Sequence, residues 1–324
     1  MSVTQPLGIA VDIGATYIRL GLGNRKGRFL VKVKERTPQE GDEYTIANYI
    51  IKLIDEFVPY RYLKRVKGIG VGSIGPLNLK EGRIVNTPNI KIKNSFIVGP
   101  IREYFNIPTY LLNDCVAGVW GEKHYGAGKG VRNLVYITIS TGIGGGVVVD
   151  DHLLLGKDGN AHEIGHIVID YRSRLKCGCG GYGHWEGYAS GANIPNFIRL
   201  VIKRKRLKIG SEWLDINAKE FFMKVREGDY IALKVFKELC RVYAAGVASV
   251  INVYDPELVT IGGSVFLNNY DLLYRPIVKY TKKYLINRMP KIIKTSLGDD
   301  VVLYGALATV FFTPESLLSY LGKK

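Results

Sequence analysis

Two stretches of the chain repeat one pattern: an apolar run, a polar glycine turn, and a second apolar run. The first, Leu7 to Leu22, turns at Asp12-Ile13-Gly14-Ala15-Thr16, and Gly27 closes a further turn behind it. The second, Leu134 to Asp150, turns at Ser140-Thr141-Gly142, continues through Ile143 and the glycines that follow it, and reaches another turn at Asp150-Asp151. Apolar runs flanking short glycine turns read as paired strands. A chain that carries this unit twice needs an architecture that accommodates two of them, and the segments read as halves of an old duplication, alike in pattern rather than identity. The length of 324 residues agrees, since such a chain makes about two domains.

Periodicity supplies the other elements. Between Asp42 and Phe57 the residues Ile46, Tyr49, Ile50, Leu53, Ile54 and Phe57 recur at three- and four-residue spacing, which predicts an amphipathic helix stopped before Pro59. Val66 to Val71 predicts a strand, and Tyr110 to Leu112 predicts another running into Asn113-Asp114, with helical character from Val116 to His124. Helices are predicted over Ile194 to Lys205, over Tyr230 to Val253 with a stop at Asp255-Pro256, and late in the chain over Val301 to Phe312. Leu258 to Ile261 predicts a strand that meets Gly262-Gly263. The alternation of strands and helices indicates α/β layers. Residues 156 to 191 are rich in Gly, His and Cys without periodicity, so they read as a loop that something must hold rigid.

Composition narrows the class. Apolar residues make up 47% and charged residues 23%, which suits a core-forming protein rather than a disordered one. The 38 glycines imply many tight turns or close backbone approaches to a ligand. The longest apolar stretch, Val301 to Phe312, is too short to span a bilayer and contains Gly305, so a soluble protein without a membrane partner is expected. The first 18 residues hold no Lys or Arg and Asp12 interrupts the only early apolar run, so no signal segment is read and a cytoplasmic location is expected. A balance of 45 basic against 29 acidic residues, +16, suits nucleic acid, and equally suits polyanionic phosphates. The basic run Lys203 to Lys208 reads as a solvated helix end rather than a nucleic-acid contact. Glutamine occurs only at Gln5 and Gln39, beside many lysines, a balance that suits a hot-living source.

Several motifs carry less chemistry than their letters suggest. Gly70-Val71-Gly72-Ser73-Ile74-Gly75 satisfies GxGxxG, yet Pro76 follows where a dinucleotide site needs a helix. Gly126 to Gly130 resembles a P-loop, but Gly130 stands where Ser or Thr would hold Mg²⁺. His162-Glu163-Ile164-Gly165-His166 is a literal HExxH, the metalloprotease pattern that needs a helix; Gly165 inside it and the β-branched Ile167-Val168-Ile169 after it predict a loop entering a strand. Cys177 and Cys179 with His184, joined by His166, form a Cys₂His₂ set suited to structural Zn²⁺, whereas Cys115 and Cys240 lie among apolar residues and read as core. In the two glycine turns backbone N–H groups can converge on phosphate oxygens, with Asp12 placed to order hydrated Mg²⁺.

Taken together these residues resemble the ROK sugar kinases within the actin, Hsp70 and hexokinase superfold, in particular archaeal ATP-dependent glucokinases and hexokinases. The resemblance spans nearly the whole chain. DIGATYIRLGL resembles the first phosphate motif, LLNDCVAGVWGE the catalytic-Asp segment, TISTGIGGGVVV the second phosphate motif, HEIGH and CGCGGYGHWEGYASG the sugar and zinc segment, and VTIGGSV the adenosine motif. The family usually has a third Cys where this chain has His184, and Gly where it has His162.

The resemblance implies two actin-like, ribonuclease H-like α/β domains with a cleft between them: a small one over 1–115, completed by a C-terminal helix at about 301–324, and a large one over 116–300 with the zinc loop. It implies transfer of the γ-phosphoryl of ATP to the 6-hydroxyl of glucose or a related hexose, Asp114 acting as general base. The hexose-binding residues it implies are Asn89, Asn113, Asp114, Glu163, His166 and Glu186. On the nucleotide side it implies Gly14, Thr16, Thr141 and Gly142 at the phosphates, Asp12 at Mg²⁺ and Gly262-Gly263 at adenosine. A homodimer follows from the resemblance as well. Some family members are repressors with an N-terminal helix-turn-helix; a phosphate motif at Asp12 leaves no room for one here. Two other functions compete: a sugar-sensing regulator of the same fold, which calls for a DNA-reading module or a damaged catalytic Asp, and an HExxH metallopeptidase, which calls for a helix over 160–170.

Overall fold

A computed structural model describes residues 5–321 apart from Asn86, Pro88 and Asn89. Strands β1 (Leu7–Ile13), β2 (Tyr17–Asn24) and β3 (Phe29–Arg36) form an antiparallel meander, and β4 (Val66–Ser73) then pairs parallel with β1. Beyond the two-residue strands β5 (Leu77–Asn78) and β6 (Arg83–Ile84), β7 (Thr109–Asn113) adds parallel to β4, giving the order β3-β2-β1-β4-β7. The second sheet has the order β10-β9-β8-β11-β12, built from β8 (Leu134–Ile139), β9 (Ile143–Val149), β10 (His152–Leu153), β11 (Leu258–Gly262) and β12 (Lys291–Lys294). Here too a meander occupies one side and a parallel pair, β11 with β12, the other. The resulting fold is mixed α/β with two sheets.

Early helices are α1 (Thr45–Phe57), α2 (Tyr60–Leu63), α3 (Val98–Phe105) and α4 (Asp114–His124). Then come α5 (Glu186–Ala189), α6 (Ile194–Lys205), α7 (Ala218–Arg226), α8 (Tyr230–Tyr254), α9 (Ser264–Asn268) and α10 (Tyr270–Thr281), and last α11 (Val301–Phe311) and α12 (Glu315–Tyr320). Two compact units emerge. One takes the described residues of Met1–Tyr136, Gly146–His162 and Thr295–Lys324; the other takes Ile137–Gly145 and Glu163–Lys294, so the chain passes between units within β8 and β9. Among the described residues no helix is long and apolar enough to cross a membrane.

In the first unit β1 is buried along its whole length, Asp12 included, and its otherwise apolar sequence suits a strand covered on both faces. Helix α11 packs on β1, β4 and α4, and glycine makes the approach possible: a Cβ on Gly305 would lie 1.7 Å from the Ala117 carbonyl oxygen. Helix α1 buries Ile46, Ala47, Ile50, Leu53 and Ile54, the face its spacing predicts. It starts at Thr45 rather than Asp42 because the Asp42 carboxylate accepts from the Tyr44 N–H (3.0 Å) and the Thr45 hydroxyl (2.9 Å), a local turn that competes with helix. In the second unit the long α8 packs against α5, α6, α7 and α10, and begins where the Asp229 side chain accepts from the Ala232 N–H at 2.8 Å. Part of the basic run is consumed there, since Arg204 and Lys205 each reach Glu238 of α8 at 3.0 Å.

Candidate active site

Strand register assembles the first half of the site. In the parallel ladder Ile13, Ser73 and Asn113 lie side by side, so β1, β4 and β7 all end at one edge, and ligands of parallel sheets collect beyond such carboxyl ends. Asp12 sits at that edge of β1, buried, directly opposite Arg19 of β2, which places both side chains on one face. The Arg19 guanidinium stands 3.5 Å from the Asp12 carboxylate and also donates to the Asp299 carbonyl. Burial raises the Asp12 carboxyl to about 7; Arg19 opposes that rise, and the negative charges of Asp114 and Asp300 add to it. Asp12 thus joins Asp114 and Asp300 in an excess of carboxylate over cation, the donor chemistry of a hard divalent ion such as Mg²⁺.

Asp114 is the first residue of α4. Asn113 caps the helix with its Oδ1 accepting the Cys115 N–H at 2.9 Å, and Asp114 Oδ1 accepts the same N–H at 2.8 Å. That hydrogen bond to the helix start fixes the position of the carboxylate at the sheet edge. Helix character therefore begins two residues earlier than its apolar spacing indicates, because the cap residue is polar. Next to this edge the β1–β2 turn closes with the Gly14 N–H on the Tyr17 carbonyl at 3.0 Å, leaving Thr16 exposed at its tip.

The second unit holds the other turn. The carbonyls of Ser140 and Thr141 accept from the N–H groups of Gly191 (2.7 Å) and Ala192 (3.2 Å), just ahead of α6. Carbonyl and N–H point opposite ways in a trans peptide, so the Thr141 and Gly142 amides face away from α6. Gly262 ends β11, and Gly263 follows at φ +87°, where a Cβ would lie 2.5 Å from the Ile139 carbonyl oxygen at the end of β8. Gly262-Gly263 and the second turn therefore share one sheet edge.

Glu163 and His166 are 3.5 Å apart through the His Nε2, while the other ring nitrogen, Nδ1, lies 3.8 Å from the Cys177 sulfur. His166, Cys177, Cys179 and His184 place one ligand atom each within 4.8 Å of one another, and Cys179 Sγ is 3.2 Å from His184 Nδ1. Nitrogen and sulfur at two corners of a tetrahedron around Zn²⁺ stand about 3.5 Å apart, so this set fits that ion. Burial pushes the Cys177 thiol up to about 12 in the protein alone; a bound cation reverses that by taking the thiolate as ligand.

The HExxH reading finds no support in the geometry. Ile164–His166 is a single 3₁₀ turn, and Gly165 packs so tightly that a Cβ would lie 2.0 Å from the Ile143 carbonyl oxygen. His162 is buried with its Nε2 2.9 Å from the Gly159 carbonyl, and it stands outside the four-ligand set. Nor does a helix follow the GxGxxG segment, whose first two glycines lie in β4 and whose third lies past its end.

Asn113 and Asp114 belong to the first unit; Glu163, His166 and Glu186 belong to the second; Asn89 lies outside the described residues. Glu186 is tied inward, its Oε2 accepting the Ile143 N–H at 2.9 Å. Sequence reasoning missed Arg19 and Asp300. The signal for Arg19 was available, because a tight hairpin at Gly14 pairs position 12 with position 19; nothing local marks Asp300, which arrives just before α11.

The glucokinase of Pyrobaculum calidifontis is 39% identical over 312 residues, covering 96% of this chain and 97% of that protein. The crystal structure of the ROK hexokinase from Thermus thermophilus superposes with a TM-score of 0.82 at 30% identity, covering 94% of this chain and 98% of the other. That of a ROK family glucokinase from Streptomyces griseus, in complex with glucose and AMPPNP, gives 0.73 at 31% identity, covering 93% and 98%. The sequence profile of the ROK family matches residues 8–311. The ordered motifs, the paired sheets and these likenesses have one conclusion: the chain belongs to the ROK family.

Proposed function

We propose that the protein is an ATP-dependent hexokinase that transfers the γ-phosphoryl group to the 6-hydroxyl of glucose or a close relative. The observation that carries this reading is Asp114, fixed at the head of α4 at the carboxyl edge of β1, β4 and β7 with Asp12 close enough to feel its charge. Phosphoryl transfer asks the protein for positioning, charge neutralisation and an acceptor for the hydroxyl proton. Asp114 accepts that proton as the 6-hydroxyl oxygen attacks. Asn113, Glu163, His166 and Glu186 bind hexose hydroxyls, and Asn89 belongs to the same set by family resemblance. The two glycine turns present amides to the phosphates, and Gly262-Gly263 receive the adenosine. Asp12 would hold Mg²⁺ brought with ATP, and the ion would supply charge neutralisation at the phosphates. Zn²⁺ on His166, Cys177, Cys179 and His184 would be structural, leaving Nε2 of His166 for the sugar.

The test is ADP release from MgATP on addition of glucose, followed in a coupled assay. Asp114→Asn should lower kcat by about 10²–10⁴-fold, the range of a lost general base, while calorimetric glucose affinity stays within about twofold. Turnover retained in that variant rejects Asp114 as base. Glucose binding without ADP release by the unaltered protein rejects the kinase reading in favour of a sugar-sensing regulator.

A further inference from the structure

Behind the β1–β2 turn stand two residues with no role in the reading above. Thr37, buried just past the end of β3, donates its hydroxyl to the Gly14 carbonyl at 2.7 Å and its backbone N–H to the Thr16 carbonyl at 3.0 Å. The Gln39 side-chain amide donates to the Ala15 carbonyl at 2.9 Å and to the Thr37 carbonyl at 3.2 Å. Three consecutive carbonyls of the turn are thereby drawn toward residues 37 and 39. Because carbonyl and N–H oppose each other across a trans peptide, the amides of Ala15, Thr16 and Tyr17 are turned to the other side.

The second turn reaches the same orientation by a different route, with the backbone N–H groups of Gly191 and Ala192 holding its carbonyls. The first turn relies on side chains for two of its three ties. An unbraced glycine turn samples several peptide orientations, and a ligand must then select the productive one at the expense of affinity.

We propose that Thr37 and Gln39 are positioning residues for the nucleotide, holding the first turn so that the Ala15 and Thr16 amides form a ready cradle for phosphate oxygens. The proposal rests on the nucleotide role assigned to Gly14 and Thr16. It also explains the burial of a threonine just past the end of a strand none of whose residues is fully buried.

Thr37→Val removes the hydroxyl at nearly constant shape and keeps the backbone tie, Thr37→Ser restores the donor, and Gln39→Leu removes the second brace. Affinities for glucose and for a non-hydrolysable MgATP analogue are measured separately by calorimetry on folded protein. Thr37→Val should weaken the analogue about tenfold and leave glucose within about twofold, with Thr37→Ser returning to within about threefold of the parent. Gln39→Leu should shift the analogue in the same direction, which keeps the test decisive if Thr37→Val fails to fold. Analogue affinity unchanged in both variants overturns the proposal. So does a parallel loss of both ligands that Thr37→Ser does not repair, the mark of a general structural role, and so does an unaltered protein that binds no nucleotide. A protein that binds the analogue and responds to these variants, yet releases no ADP with glucose, fails the kinase reading and leaves the brace standing.

Discussion

Glu186 offers its two carboxylate oxygens to different partners: Oε2 accepts the Ile143 N–H at 2.9 Å, and Oε1 lies 3.5 Å from the Cys177 sulfur. The same Oε2 stands 2.7 Å from where a Cβ of residue 142 would be, so Gly142 is the residue that lets the carboxylate approach. A side chain expected to bind sugar therefore also supports the second glycine turn and touches the cysteine set. Truncation to Ala leaves the buried Ile143 amide without its acceptor, which costs about 1–3 kcal/mol and loosens the turn that begins at Ser140. Glu186→Ala should thus raise KM for both glucose and ATP, by about tenfold each. Glu186→Gln, which keeps an oxygen for the amide, should raise chiefly the glucose KM; steady-state kinetics with each substrate varied in turn separates the two. An ATP KM unchanged in Glu186→Ala would mean the tie to Ile143 has no bearing on the nucleotide. None of this is readable from spacing, since the partners are 43 residues apart and only the fold joins them.

Helix α4 shows how an element serves the site at one end and stability at the other. Its last residue, His124, stacks on Phe312 with ring centroids 4.2 Å apart and meets the Trp120 ring edge-on at 4.4 Å. Burial, aided by the positive charges of Lys123 and Arg25, lowers the imidazole from 6.5 to about 4. The folded protein then binds fewer protons than the unfolded chain between those values, so this contribution is complete above pH 6.5 and is lost as pH falls toward 4. His124→Phe keeps a flat ring against Phe312 and removes the titration. Thermal or urea unfolding from pH 7 to pH 4 should show the parent losing up to roughly 3 kcal/mol that the variant keeps; parallel pH profiles would refute a buried neutral imidazole. Elements of this kind were legible where the apolar period was unbroken. Helix α6 has the limits its spacing predicts, and α8 extends one residue past them. Helix α3 hides behind Gly99-Pro100 and α10 behind Pro276, which interrupt the signal that packing later overrides, and β12 is too short to show a period.

For the molecule as a whole, the repeated hairpin pattern of the sequence corresponds to two sheets whose orders run element for element, β3-β2-β1 beside β4-β7 and β10-β9-β8 beside β11-β12. That much was legible because each hairpin carries its own apolar runs and its own glycine turn; the parallel partners, brought from distant segments, leave no such local trace. The region 156–191 is the opposite case, because what orders it is chemical rather than periodic. At its base the Tyr188 hydroxyl and Arg174 hold the Asp170 carboxylate at 2.5 and 2.7 Å, and single bridges join Val168 to His184 and Lys176 to Tyr182. Beyond these, Cys179 and the glycines beside it are exposed, and Arg172, Arg174 and Lys176 present trypsin sites to solvent. If His166, Cys177, Cys179 and His184 hold zinc, purified protein should contain about one zinc per chain by mass spectrometry. Removal with a strong chelator should then speed tryptic cleavage at these three positions by about tenfold or more, as local opening becomes frequent. Glucose affinity should weaken in the same preparation, since His166 loses the ligand that fixes its ring, and added Zn²⁺ should reverse both effects. Protein that carries no zinc, and whose digestion and glucose affinity ignore the chelator, would show that the Asp170, Arg174 and Tyr188 contacts suffice to order the loop.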